Sequence, residues 1–371
     1  MKIAMFGHKR IPSREGGVEI VVEELSTRMA KLGHQVVCYN RKGHHVSGAE
    51  FDTVAEDTCR GVTLKTVPTL DKKGLAAVTS SFFAAVCSAF SKADVVHIHA
   101  EGPAFLCWLP KLLGKRVIVT VHGLDWQREK WKRGFGAKYI RWGEKMAVRF
   151  ADEIIVLSRN LQDYFRSEYG RETVRIPNGV TCPEILEADQ ITERYGLKKD
   201  EYILFLGRLV PEKGIHYLIE AFRKLDTHKK LVIAGGSSDT EDYTAQLRQL
   251  AAGDQRILFT GFVQGQLLQE LYSNAWVYVL PSDVEGMPLS LLEAMSYGNC
   301  CVVSDIPECT EVVEDRAVIF PRGNVQALAE CLQGLCEDPD KVVRRKESVR
   351  EYICQKYSWD DVTRRTLELY P

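Results

Sequence analysis

The sequence has no G-x-G-x-x-G segment, no C-x-x-C pair, no internal repeat and no low-complexity tract. The first absence weighs against a nicotinamide dehydrogenase, whose cofactor phosphates rest on that glycine turn. The second weighs against a disulfide or zinc framework. Among the eleven cysteines, Cys38, Cys87 and Cys301 sit in apolar runs and read as reduced, small core residues. An excess of one charge is also missing: 49 Lys and Arg stand against 50 Asp and Glu, so no global field favours nucleic acid. No apolar run reaches the ~20 residues of a membrane span. The nearest, Gly74 to Phe90, is broken by Thr79, Ser80, Ser81 and Ser88 and reads as a buried helix. MKIAMFGHKR at the start lacks the apolar core and cleavage site of a signal peptide. These features lead to the expectation of a soluble protein in the cytoplasm, including the inner face of the plasma membrane. The one D-x-D, Asp338 to Asp340, surrounds Pro339 and reads as turn chemistry rather than a metal site.

What is present fits two domains. At 371 residues, with 45% hydrophobic and 27% charged, the chain is long for one core and ordinary in composition for a globular protein. KIAMF (2–6), QVVCYN, VTLKTV (62–67), DVVHIH (94–99), RVIVTVH (116–122) and EIIVLS (153–158) are short apolar runs separated by helical spacing. That alternation implies a parallel sheet covered on both faces. After IPNGV (176–180) a second series follows: YILFLGR, KLVIAGG, RILFTGF, WVYVLPS, CCVVSD and AVIF. The expected organisation is an α/β protein of two Rossmann-like, doubly wound domains, 1–177 and 178–357, with a last amphipathic helix in 358–371.

The most informative stretch is LPSDVEGMPLSLLEAMSYG, 280–298. A strand-length run stops at Pro281, a polar turn follows, and helical spacing runs from Pro288 to Gly298. Glu285 falls in the turn and Glu293 about a turn and a half into the helix. Between them the first amides of the helix, near Leu289 and Ser290, form an end that favours phosphate. An anion cradle flanked by two carboxylates suits a diphosphate set between polyhydroxylated rings. Arg208 and Lys213, in GR and PEKG after the first strand of the second domain, would meet the same anion.

The segment PSxxEGMPxxxxEAMxxG resembles the retaining glycosyltransferases of the GT-B fold, above all the large family-four group with its E-x7-E motif. The resemblance implies that Arg208 and Lys213 bind the donor pyrophosphate, with no metal cofactor. It also implies that Glu293 accepts the ribose hydroxyls, that Glu285 holds the transferred sugar, and that Val263 lies where the base meets the backbone. Gly16 and Gly17 match a glycine loop touching donor phosphate and acceptor, and His122 matches a histidine beside the sugar. Asp125, Trp126 and Asn178 are candidates for the acceptor side or the cleft, and the last helix is expected to return to the first domain. GHKRIPSREGGVE and TVHGLDW are similar to the bacterial subgroup that builds surface polysaccharide, some of whose members transfer rhamnose.

The implied partners are a UDP-, dTDP- or GDP-linked sugar and a glycan or lipid-linked acceptor. Residues 126–149 carry eight basic and two acidic residues interleaved with Trp131, Phe135, Tyr139 and Trp142. That composition fits contact with an anionic leaflet and equally a solvated helix with an aromatic core face. His97 and His99 alternate off one face and with Glu101 mimic a metal site, but no well-spaced ligand completes it. Other readings remain at this point: an epimerase or phosphorylase on the same fold, and a non-catalytic nucleotide-sugar binder.

Overall fold

A computed structural model describes residues 1–44, 48, 51, 56–70, 72, 74–127, 135–237 and 240–370. The chain forms two compact units, Met1–Gly179 with Trp359–Pro371, and Val180–Ser358.

The first unit holds an eight-stranded sheet. Its strands are β1 (Lys2–Phe6), β2 (Gln35–Arg41), β3 (Thr58–Cys59), β4 (Val62–Val67), β5 (Val95–His99), β6 (Arg116–Val121), β7 (Glu153–Val156) and β8 (Val174–Arg175). The order is β3-β4-β2-β1-β5-β6-β7-β8, and every pairing is parallel except β3 with β4. β3 and β8 have two residues each, too few for a period to show in the sequence. β5 is buried along its whole length, as expected of a strand covered on both faces.

The order reverses between β1 and β5, which diverge from that point to opposite sides of the sheet. Ligands bind doubly wound sheets at such a switch, beyond the carboxyl ends of the strands. Here those ends are Gly7 to Gly17 after β1, His99 on β5 and His122 after the neighbouring β6.

The helix Leu75–Ala89 departs from the expected buried helix. Ser80, Ser81, Ala84, Ala85, Ser88 and Ala89 face the core, but Phe82 is 49% and Phe83 39% exposed, and Cys87 is exposed rather than a core residue. Small residues make the closest packing here. The Ser80 and Ser81 hydroxyls donate to the carbonyls of Ala76 and Ala77, so the serines can face inward. With apolar residues on every face, spacing alone cannot say which side is covered.

The second unit holds β9 (Tyr202–Leu206), β10 (Lys230–Ala234), β11 (Ile257–Gly261), β12 (Val277–Leu280), β13 (Cys300–Ser304) and β14 (Val318–Phe320). They are all parallel, in the order β11-β10-β9-β12-β13-β14. The reversal lies between β9 and β12. Val277 pairs with Ile203 and Tyr278 with Leu204, so the segments after Leu206 and Leu280 leave the sheet side by side.

The units divide at Gly179/Val180 and Ser358/Trp359. The Val180 amide donates to the Tyr357 carbonyl at 2.7 Å, inside the second unit. In the first unit, a Cβ on Gly179 would stand 2.7 Å from the Trp359 ring and backbone. The glycine of PNGV therefore serves close approach of the last helix, Trp359–Leu367, which packs on the helix Gly17–Lys31.

Candidate active site

In the second unit the switch point brings two loops together. Pro211–Lys213 forms a single 3-10 turn closed by Gly214 at φ +64°. A Cβ on Gly214 would lie 2.0 Å from the Pro281 carbonyl oxygen, so this glycine is needed both for its backbone angle and for contact with the loop after β12. The Asp283 amide donates to the Glu212 carbonyl at 2.8 Å, and Tyr217 Oη donates to Asp283 Oδ2 at 3.2 Å. Gly214→Ala is expected to destabilise the protein by about 2–3 kcal/mol, read from a urea denaturation midpoint, because strain and overlap act together.

This clamp sets Lys213 Nζ 2.5 Å from Glu285 Oε1, with side chains only 13% and 8% exposed. Ser282 Oγ donates to the same oxygen at 2.6 Å. Glu285 is thus held by two donors from two loops. On the other side of the switch point, Arg208 follows Gly207 at the end of β9 and is half-buried. A Cβ on Gly235 would meet the Gly207 carbonyl oxygen at 1.8 Å, so the ends of β9 and β10 close tightly behind it.

The helix Leu289–Ser296 starts from Pro288, which is extended at ψ 105° and caps the helix rather than opening its first turn. Leu291 and Leu292 make the first internal bonds, to the Pro288 carbonyl, which leaves the Leu289 and Ser290 amides ahead of the ladder. Two tyrosines support this end. Tyr278 Oη donates to Ser290 Oγ at 2.9 Å, and Tyr272 Oη donates to Glu293 Oε2 at 3.2 Å. Tyr272 also stacks on Tyr297 at 5.2 Å. Burial pushes the Tyr278 phenol well above its usual range, so it keeps its proton. Sequence reasoning missed both tyrosines, since Tyr278 looks like any strand residue and Tyr272 like any helix residue. Val263 is buried at 6% exposure just after β11, at the sheet edge, two strands from β9.

In the first unit, Gly16 caps the helix Gly17–Lys31 with φ −168°, an angle open to any residue. Its special feature is space, because a Cβ would stand 2.8 Å from Glu19 Oε2. The preceding Glu15 is buried between Lys9 at 3.5 Å and Arg10 at 3.6 Å. His122 is 9% exposed, with Nε2 3.1 Å from His99 Nδ1. The Asp125 amide donates to Glu101 Oε2 at 2.7 Å, and the Trp126 ring lies under the Arg141 guanidinium at 5.0 Å.

Glu101 is fully buried. Burial, then the neighbouring Asp125 and Glu144, push its carboxyl well above the usual range, so it is held protonated. Glu144 Oε2 accepts from Tyr164 and Tyr169 at 2.9 and 2.6 Å. This buried carboxyl pair joins the Asp125 turn to the helix Phe135–Phe150 and was not anticipated. Asn178, also in the first unit, is 3% exposed.

Of the basic aromatic stretch, Arg128, Lys130, Trp131, Lys132 and Arg133 lie outside the described residues. Tyr139 packs on Phe105 at 5.1 Å, while Trp142 is 44% exposed. Among the described residues no group of three His, Cys, Asp or Glu side chains is arranged to hold a metal ion, and no helix is long and apolar enough to cross a membrane.

Residues 15–183 match the model described as Glycosyltransferase Family 4, and residues 187–352 the model described as Glycosyl transferases group 1. The alpha-maltose-1-phosphate synthase of Mycolicibacterium smegmatis is 26% identical, over 100% of this chain and 99% of its own. Sucrose-phosphate synthase from Thermosynechococcus elongatus superposes with a TM-score of 0.84 at 22% identity, covering 100% of this chain and 98% of that one. The Anabaena protein HepE in complex with UDP-glucose gives 0.80 at 17% identity, with 99% and 98% covered. With both halves matched in this way, the chain belongs to the group 1 glycosyltransferases of the GT-B fold, built from two Rossmann-like domains.

Proposed function

We propose that the protein transfers a sugar, with retention of anomeric configuration and without a metal, from a nucleoside-diphosphate sugar to a glycan or lipid-linked acceptor in bacterial surface-polysaccharide synthesis. The observation that carries the reading is the pairing of Lys213 with Glu285 where the loops after β9 and β12 leave the switch point, with Arg208 on the first of these loops and the Leu289–Ser290 amides at the end of the second. A diphosphate there gains two cations and a helix N-terminus. The same groups stabilise the charge that builds on the diphosphate as the sugar leaves, which is what a metal would otherwise supply. Without donor, Lys213 and Glu285 neutralise each other. With donor, Lys213 turns to phosphate and Glu285 accepts sugar hydroxyls.

Glu293, fixed by Tyr272, is placed to accept ribose hydroxyls, and the backbone at Val263 meets the base. His122 is assigned to the transferred sugar, Gly17 to donor phosphate, and Gly16, Asp125, Trp126 and Asn178 to the acceptor or cleft. Among the described residues no side chain stands out as a covalent nucleophile, so attack and departure on one face of the sugar are the favoured route to retention. Residues 126–149 are the proposed membrane contact, at the inner leaflet.

The test is thermal stabilisation by UDP-, dTDP- and GDP-sugars, with and without EDTA, followed by product anomers by NMR. One base should raise the melting temperature in proportion to occupancy. That shift should survive EDTA and vanish in Arg208→Ala. If no nucleotide shifts the intact protein, the donor site is wrong.

A further inference from the structure

Three histidines stand at the carboxyl ends of β5 and β6. His97 and His99 share one face of β5, and their rings stack at 4.2 Å and 27°. The His99 and His122 rings lie 5.3 Å apart at 28°. His97 has partners at both nitrogens, Tyr370 Oη at Nδ1 and Thr120 Oγ1 at Nε2, each at 2.7 Å. His99 has a partner at one only. Its Nδ1 is 3.1 Å from His122 Nε2, while its Nε2 is buried with no partner. Gly7 holds the strand end in place: at φ +111°, a Cβ there would stand 2.0 Å from the His99 carbonyl oxygen.

Burial holds the His99 ring well below its ordinary range, so His99 is neutral. A neutral imidazole has one proton to place. On Nε2 it would be a buried N–H without an acceptor. On Nδ1 it makes a hydrogen bond and leaves only a bare lone pair behind. Orphaned buried N–H groups are rarer in proteins than undersatisfied acceptors.

We infer that His99 is a positioning residue: it donates from Nδ1 to His122 Nε2 and so fixes His122 as the neutral tautomer protonated at Nδ1. A lone pair already occupied by His99 is not available to remove a proton. His122 therefore carries its proton on Nδ1 and is not a general base through Nε2. What that means for transfer rests on the function proposed above, but the tautomer does not.

The experiment is long-range 1H–15N NMR at neutral pH on protein labelled at its nine histidines, with His122→Gln assigning the His122 signals. The wild type is expected to show His122 protonated at Nδ1 only. In His99→Leu the two tautomers of His122 should mix, and in His99→Asn, whose amide can donate, the Nδ1 form should persist. Where transfer is measurable, kcat should fall roughly ten- to a hundredfold in His99→Leu, as for other groups that orient a functional histidine, and recover in His99→Asn. A wild-type His122 protonated at Nε2, or at both nitrogens, overturns the inference from the folded native protein alone. A pure Nδ1 form in His99→Leu removes His99 from the role. Because the spectra read a proton position, they remain decisive even if no nucleotide sugar is ever turned over.

Discussion

Lys213→Ala is expected to lower transfer by at least ~100-fold, the scale for losing one preorganised charge at a reacting centre. It should also destabilise the protein by about 3 kcal/mol, because Glu285 is left almost without solvent and keeps only the Ser282 hydroxyl. The two effects separate in the double variant. Removing Glu285 as well deletes the stranded carboxylate, so Lys213→Ala with Glu285→Ala should regain most of the stability and none of the activity. Urea denaturation of the two single variants and the double one, beside a donor-turnover assay, reads both quantities. Equal loss of stability in Lys213→Ala and in the double variant would mean that the stranded Glu285 carboxylate is not the source of the loss.

Acid should weaken the first unit through its buried imidazoles. Burial lowers His97 to about 3, helped by charge on His122, and lowers His8 to about 4 despite Glu19 nearby. Each ring is neutral when folded and takes a proton when unfolded below its ordinary value of ~6.5. The stability linked to each is therefore full above that value and is lost as pH falls toward 3 or 4. Between pH 7 and 5 the loss is about 2 kcal/mol per ring. Glu101 acts in the opposite sense, since a carboxyl held protonated in the fold resists acid better than the unfolded chain does. A comparison of slopes removes that opposition. His97→Gln should be less stable than the parent at pH 7 yet lose about 2 kcal/mol less on going to pH 5. Parallel stability curves for the two proteins would show that the His97 ring does not stay neutral in the fold.

Much of the architecture was legible because buried parallel strands are written as continuous apolar runs, and twelve of them could be marked off by their length and turns. The places of Glu285 in the turn, of Glu293 in the helix and of Leu289 and Ser290 at the helix start were legible for a related reason: strand, turn and helix are consecutive, and local rules set them all. What stayed hidden is pairing over distance. Lys213 and Glu285 are 72 residues apart, and nothing local says that the would-be phosphate ligand and the would-be sugar ligand hold each other. His97 and Tyr370 are 273 apart. His97, His99 and Glu101 could be seen as an alternating polar set, but their chemistry was decided by Thr120, His122 and Asp125 arriving from the next strand. Cys87 and the phenylalanines beside it show the same limit on a helix, where composition gives no inside and no outside.

The first unit takes residues from both ends of the chain, and this sets an order in time. Tyr370 is 1% exposed with its hydroxyl on His97, and the Leu369 carbonyl accepts from Arg116 Nε at 2.7 Å. The segment that carries Tyr370 is made only after residues 180–358, so the histidine stack of the first unit is closed by a stretch synthesised later than the whole second unit.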